Sequence, residues 1–272
     1  IIIYPRLLIV KQFCVKMPIM EAQVIQFIND NKMISAGDRV GVAVSGGEDS
    51  MALLNILKNL SEKVHFEVVA VHVNHNIRRS ANADAKFVKQ YCDEHLIEFV
   101  KYSVNVPEYS AANKVSMETA ARILRYECFD NAIQKHKLNK LAIAHHLNDQ
   151  AETVLMHLFR GCGLDGASGM APVRGVYIRP FLETKKTDII AYNYRNSIPH
   201  VIDDSNEDNG YRRNYVRNMI MPLITKEWRA APENLASFAK IAARDSKYIT
   251  DQCDMNGIVR DGNVVRIPLN RF

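Results

Sequence analysis

The sequence has no Cys-x-x-Cys pair: its five cysteines, Cys14, Cys92, Cys128, Cys162 and Cys253, are scattered along the chain. That spacing excludes a zinc ribbon or an iron–sulfur site built from local cysteine pairs, and it fits reduced thiols in a cytosol-like compartment. A membrane-spanning run is also missing. The apolar opening IIIYPRLLIVKQFCVK is broken by Pro5 and Arg6 and is too short to cross a bilayer, so no membrane partner is expected. Internal repeats and low-complexity tracts are absent as well. Charge of one sign is only weakly in excess: the formal net charge of +5 suits a polyanionic partner but occurs equally in proteins that have none.

What is present is enough apolar material for a large core. With 272 residues, of which 47% are hydrophobic, the length favours one full domain and a smaller appendage. The chain begins without Met, and Met17 and Met20 lie just ahead of the first periodic segment, so residues 1–19 are expected to be an extension outside the fold. Residues 20–222 are expected to form the main domain, and 223–272 a helical appendage.

The order of elements follows from periodicity. Val24, Ile25 and Ile28 predict a helix ending before Gly37-Asp38; Val40 to Val44 reads as a buried strand, Ser45-Gly46-Gly47 as a turn, and Met51 to Leu60 as a helix. Val68 to Val73 is the next strand, close enough for a parallel crossover. Helices over Asn82–His95 and Ser116–Lys135, a strand at Leu141–Ala144 and a helix from about Asn148 continue the alternation. A further helix is predicted from Lys185 to about Asn196, a helical segment around Leu235, Phe238, Ile241 and Ala242, and a short strand at Val264–Ile267. The fold class is therefore α/β, a doubly wound and mostly parallel sheet with a C-terminal helical appendage.

Three of these strands end in polar residues that burial alone does not call for: Ser45, then Asn74-His75, then His145-His146. Open α/β sheets bind ligands at the carboxyl ends of their strands, so these residues are expected around one crevice. In Ser45-Gly46-Gly47-Glu48-Asp49-Ser50 the glycines let backbone N–H groups approach an anion, and the following helix adds its positive end. The loop lacks the Gly-Lys-Ser/Thr ending of Walker A and the Gly-x-Gly-x-x-Gly spacing. An ordinary strand-to-helix turn capped by Asp49 or Ser50 is the plainer alternative. Asp149 and Glu152 share a helical face, where they could hold Mg²⁺ on phosphate oxygens or form a capping pair. His145 and His146 are neighbours on a strand, so they point to opposite faces and are poorly placed to chelate one zinc ion.

Farther along, Glu118, Arg122 and Arg125 share a helix face, with Met117, Ala121, Leu124 and Cys128 as the apolar stripe; a Glu118–Arg122 surface pair is the bland reading. Arg212, Arg213 and Arg217 cluster beside Tyr211 and Tyr215, a combination that suits RNA phosphates and base stacking as well as a solvated basic face.

The pattern Ser45-Gly46-Gly47-x-Asp49-Ser50 resembles the PP-loop of the N-type ATP pyrophosphatases, which cleave ATP to AMP and pyrophosphate. From about Val40 to Leu223 the chain resembles the bacterial tRNA(Ile)-lysidine synthetase family within that superfamily. The likeness extends through His145-His146-Leu147-Asn148-Asp149-Gln150-Ala151-Glu152-Thr153 and Arg160-Gly161-Cys162-Gly163. It continues in Met117-Glu118-x-x-Ala121-Arg122-x-x-Arg125-Tyr126, in Arg179-Pro180-Phe181-Leu182, and in Asp204-Ser205-Asn206 with Arg213-Asn214 and Arg217-Asn218. Two features depart from it: Glu48 stands where that family usually has proline, and Asn76 to Ser80 does not follow its usual element. The chain also ends at Phe272, short of the longer tails of many members, so it is expected to be either a compact form or a fragment.

The resemblance implies an adenine nucleotide alpha hydrolase-like fold and an ATP- and Mg²⁺-dependent ligase. Its substrates would be L-lysine and the wobble cytidine of a tRNA(Ile) with a CAU anticodon, and its location cytoplasmic, with a homodimer among the assemblies compatible with it. It places Ser45, Gly46, Gly47, Asp49 and Ser50 at ATP, Asp49 and Asp149 at Mg²⁺, and Arg122, Arg125 and His145 with Asp49 and Asp149 in catalysis. Arg212, Arg213 and Arg217 would meet tRNA. The alternatives are a tRNA thiolase of the same superfamily, which generally uses cysteine pairs; a glutamine-fed amide ligase, for which there is no spare length; and a non-catalytic ATP-binding module.

Overall fold

The computed structural model describes residues 19–76, 81–201, 210–252, 259–261 and 264–266. Cys14, Cys253, the stretch 77–80 and the marker Asp204-Ser205-Asn206 lie outside the described residues.

The core is a six-stranded sheet in the order β3-β2-β1-β4-β6-β5, with β1 (Arg39–Ala43), β2 (Glu67–Asn74), β3 (Glu98–Ser103), β4 (Lys140–Ala142), β5 (Val173–Arg174) and β6 (Tyr177–Ile178). β3, β2, β1, β4 and β6 run parallel, and β5 closes the edge antiparallel to β6. Parallel strands need crossovers, and the helices that supply them cover both faces of the sheet. Val40, Val42, Ala70, Ala142 and Ile178 pack against α1 (Ile19–Asp30), α2 (Glu48–Val64), α3 (Ala81–Glu94) and α8 (Lys186–Arg195) in one cluster. On the opposite face Val69, Val71 and Leu141 pack against Phe129 and Ala132 of α5 (Met117–Lys135). The alternation of side chains along each strand produces this division, and the doubly wound arrangement is the one the sequence predicts. Gly41 is closely covered: a Cβ there would meet Leu138 Cδ1 at 2.6 Å and Leu141 Cδ1 at 3.0 Å, so a larger residue in the central strand would make those leucines shift.

After β4 the regular alternation stops. α6 (Leu147–Arg160) follows β4, then a single turn, α7 (Leu164–Ala167). After α8 come α9 (Arg212–Tyr215), a π-helical turn (Val216–Ile220) and α10 (Met221–Glu227), which form one continuous run. Pro222 has no N–H to return to the preceding turn, which accounts for a widened turn at that point. α11 (Ala231–Gln252) packs along α6 and α7, and β7 (Val259–Asp261) pairs antiparallel with β8 (Val264–Arg266). The expected domain break after residue 222 therefore falls inside α10.

Two expectations need correction. The sequence reading passed over β3 and over α4 (Val106–Asn113), whose start is fixed by Asn105 accepting a hydrogen bond from the Glu108 N–H. The buried residues of α5 are Ala120, Cys128, Phe129 and Ala132 rather than a stripe through Met117, Ala121 and Leu124. Most of the buried positions lie in the C-terminal half of α5; near its start, capped by Ser116, Ala120 is buried while Glu118 and Arg122 are exposed.

Candidate active site

The turn between β1 and α2 carries its own internal scaffold. Ser50 Oγ donates to the Gly47 carbonyl at 2.9 Å and lies 3.2 Å from Ser45 Oγ, which in turn accepts from the Gly47 N–H at 3.2 Å. The Ser45 N–H points to Ser50 Oγ at 3.2 Å. Two serines thus hold the loop closed. Gly47, the N-cap of α2, offers no side chain to the first helical turn, so N–H groups that a capping residue would satisfy are left for an anion. Gly46 adopts φ +94°, and a Cβ there would also press on Val88 Cγ2 at 3.3 Å. The Gly46 carbonyl accepts from the Val201 N–H at 2.9 Å, tying the segment after α8 to the loop.

Charged groups surround this turn. Lys186, at the start of α8, places Nζ 2.5 Å from Asp49 Oδ1 and 2.8 Å from Glu48 Oε2. Burial works against its charge, but Asp49 and Glu48 outweigh that and raise its pKa. His146 caps α6: its Nδ1 accepts from the Asp149 N–H at 3.3 Å while Asp149 Oδ2 accepts from the His146 N–H at 3.0 Å, a reciprocal capping box. The other ring nitrogen of His146 lies 3.7 Å from Asp49 Oδ2 and 3.5 Å from Asp149 Oδ2, so one imidazole sits between the two carboxylates.

Behind Asp149 lies an ion-pair cluster. Arg213 and Arg217 each donate to Asp149 Oδ1, at 3.0 and 2.8 Å, and both reach Glu152, at 3.1 Å from Arg213 Nε and 2.7 Å from Arg217 Nε. Glu152 is only 3% exposed, a depth at which a carboxylate needs this pairing. Burial would raise the Asp149 carboxyl, but His146 and the two arginines hold it well below the usual carboxylate range. On the other side His145 Nδ1 accepts from Arg179 Nε at 3.3 Å, and Arg125 Nε lies 3.5 Å from His75 Nε2. Burial, assisted by Arg213, Arg179 and Arg125 against Asp149, pushes His145 down to about 3. The ring is therefore neutral at physiological pH, and with Nδ1 accepting from Arg179 its proton sits on Nε2.

Next to this crevice opens a cavity of about 1210 Å³ with five arginines on its wall, Arg122, Arg160, Arg174, Arg179 and Arg212, against Glu118, Glu127 and Asp130. Tyr126 and Tyr177 line it and meet edge to face with centroids 5.3 Å apart. Arg122 lies over the Tyr126 ring, 5.1 Å from its centroid, which gives it an aromatic partner where a pair with Glu118 was the bland expectation.

Residues 17–224 match the PP-loop domain family. The chain belongs to that family. It is 42% identical over 207 residues to the tRNA(Ile)-lysidine synthase of Clostridium acetobutylicum, a match covering 75% of this chain and 45% of that protein. With the tRNA(Ile)-lysidine synthase of Oceanobacillus iheyensis the identity is 42% over 240 residues, 86% of this chain and 52% of the relative. The chain thus spans about half the length of the curated relatives it matches. In fold it is similar to the U34-tRNA thiolase of Methanococcus maripaludis, with a TM-score of 0.68 at 15% identity over 88% of this chain and 80% of that one.

The PP-loop residues Ser45, Gly46, Gly47, Asp49 and Ser50 come together as a single unit; His146, after β4, reaches Asp49 and links it to Asp149 in α6, while His145 turns to Arg179. Two expectations meet this geometry differently from the simplest reading of the sequence. Arg213 and Arg217, expected at tRNA, turn inward to Asp149 and Glu152, and of that trio only Arg212 lines the cavity. Asp149, expected at Mg²⁺, has both oxygens engaged by hydrogen bonds, whereas Asp49 keeps Oδ2 turned toward His146. Mg²⁺ is content with one or two carboxylates alongside phosphate oxygens and water, and Asp49, the more exposed of the two, could supply one. His146, besides capping α6, stands between Asp49 and Asp149. Lys186 and Arg179 were not singled out for chemistry as individual residues; the only signal was their position, one in an Arg-Pro marker and one opening a helix directly after it. A Gly46→Val variant is expected to lower ATP affinity at least about tenfold, because it forces a β-branched residue into positive φ at a crowded point of the PP-loop. Calorimetric titration with ATP and Mg²⁺ reads the loss, and an unchanged affinity would remove the loop from the nucleotide site.

Proposed function

We propose that the chain is the catalytic part of a tRNA(Ile)-lysidine synthetase, a cytoplasmic ligase that uses ATP to join lysine to C2 of the wobble cytidine in a CAU anticodon. The observation that carries this reading is Arg179, which belongs to two places at once: it donates to His145 at the PP-loop crevice and lines the arginine–tyrosine cavity beside it. A nucleotide held at the loop and a nucleobase admitted through the cavity would therefore meet. The similarity to curated lysidine synthases supports the choice of substrates.

In this reading the PP-loop amides and the N-terminal turn of α2 take the phosphates of ATP. The cytidine C2 oxygen attacks the α-phosphorus and pyrophosphate leaves; the lysine amine then adds at C2 and AMP departs. Mg²⁺ bound with the nucleotide would neutralise phosphate charge, held by Asp49. Arg125 and Arg179 face the developing negative charge, and the neutral His145 offers an Nε2–H donor in a water-poor setting where such donors count most. Sulfur transfer would use thiolates; burial pushes the Cys92 thiol up to about 12 and raises that of Cys128, which leaves Cys162 as the exposed cysteine among the described residues.

The test is AMP release from ATP with labelled lysine and an unmodified CAU-anticodon tRNA(Ile). Dependence on both substrates, with label entering RNA, is the expected result; AMP release without incorporation would sink the assignment. An Arg174→Ala, Arg212→Ala double variant is expected to raise KM for the RNA about tenfold while ATP·Mg²⁺ affinity stays within about twofold. An unaltered KM would remove the cavity from the RNA path.

A further inference from the structure

Glu48 poses a physical problem. It is the first residue of α2, directly beside an anion-binding turn, where a second carboxylate next to Asp49 repels the phosphates the turn is built to accept. The surroundings of Glu48 indicate how this is managed. Its Oε2 lies 2.8 Å from Lys186 Nζ, its Oε1 is 3.9 Å from His200 Nε2, and its carbonyl accepts from Asn193 Nδ2 at 2.9 Å. Lys186, the side chain of which is 31% exposed, spends two of its three N–H donors on Glu48 and Asp49. All of these partners come from α8 or the segment just after it. A flexible, partly exposed cation is thus parked at the mouth of the phosphate turn by two carboxylates.

We propose that Lys186 is a phosphate-binding cation of the site and that Glu48 is an internal competitor for it, holding the ammonium until a nucleotide phosphate displaces the carboxylate. The proposal rests on the reading of the PP-loop as the ATP site, but not on lysidine as the product. Lysine suits this exchange because its ammonium is a point charge on a four-carbon stem that can leave one oxygen for another without a fixed fork geometry. His200 stands ready to face the carboxylate that Lys186 leaves. Glu48 would then lower ATP affinity in two ways, by direct repulsion and by the Glu48–Lys186 contact that must break.

The two contributions separate in a double-mutant cycle on the protein without RNA or lysine. Affinity for ATP·Mg²⁺ is measured by calorimetry at low salt for the parent, Glu48→Gln, Lys186→Gln and the double variant. Competition predicts that Glu48→Gln tightens binding about tenfold when Lys186 is present and only about twofold when position 186 is already Gln. Lys186→Gln alone should weaken binding at least about tenfold, and Lys186→Arg should restore most of it. Equal tightening in both backgrounds would mean repulsion alone, and weaker binding by Glu48→Gln would mean that Glu48 merely positions the lysine; either overturns the proposal. Coupling in ATP binding without lysine incorporation would leave this inference standing while sinking the proposed reaction, whereas a parent that binds no ATP·Mg²⁺ would sink both.

Discussion

An Asp49→Asn variant will release AMP from ATP at least about 100-fold more slowly than the parent, with a melting temperature close to the parent's. The size of the loss follows from what the carboxylate does. Asp49 opens the first turn of α2 beside the PP-loop, holds Lys186 through Oδ1 and turns Oδ2 toward His146. Asparagine keeps the shape and removes the charge, so both the Lys186 contact and the oxygen suited to Mg²⁺ lose their electrostatic basis, at a point where such preorganised charge is typically worth 100- to 1,000-fold in rate. The fold should tolerate the change because the side chain is 30% exposed and anchors no buried cluster. Single-turnover AMP release and a thermal melt, run together, distinguish this from unfolding. A rate within about threefold of the parent would remove Asp49 from the chemistry.

The parts of this molecule that could be read in advance are those in which local sequence and tertiary role coincide. β1, β2 and β4 are largely buried, so their chemistry appears as apolar runs, and the PP-loop is marked by Gly46, whose φ of +94° favours glycine. β3 was illegible for the opposite reason: it is an edge strand, and Glu98, Lys101 and Ser103 break its pattern. β5 and β6, at two residues each, are too short to have any period.

In the site, residue types were legible but partners were not. Nothing in Arg213 and Arg217 says whether they face RNA or a carboxylate, because Asp149 and Glu152 lie more than 60 residues away, at separations of 61 to 68. Lys186 presents the same difficulty, since a lysine opening a helix reads identically whether it is solvated or reaches back 137 residues to Asp49. Adjacent histidines on a strand read only as side chains on opposite faces; in the fold His146 both caps α6 and reaches Asp49 in the crevice.

The inward turn of the two arginines has a large consequence for stability. Replacing both, Arg213→Ala with Arg217→Ala, is expected to destabilise the protein by about 3–5 kcal/mol at neutral pH, the cost usual for leaving a buried charge without its partners. Glu152 would be left at 3% exposure without either guanidinium, and the Asp149 carboxylate would retain the helix cap and His146. The same substitutions remove the ion pairs between α6 and α9 with its π-helical turn, leaving the packing of Val216 against Ala151 and Leu155, and so loosen the segment that brings Arg212 to the cavity.

pH gives an independent reading of the same cluster. The Asp149 carboxyl is held below its unfolded value, so its contribution to stability is complete above about pH 4 and disappears as pH falls toward its depressed folded value. The parent should therefore lose stability steeply on acidification below about pH 4. The double variant should start lower at pH 7 and fall less over that interval, because the arginines that depress the Asp149 carboxyl are gone. Denaturant melts at pH 7 and at about pH 3 measure both. If the variant matched the parent at pH 7 and kept the same acid slope, the four-residue cluster would be a surface arrangement of little energetic weight, and Arg213 and Arg217 would again be free to serve RNA.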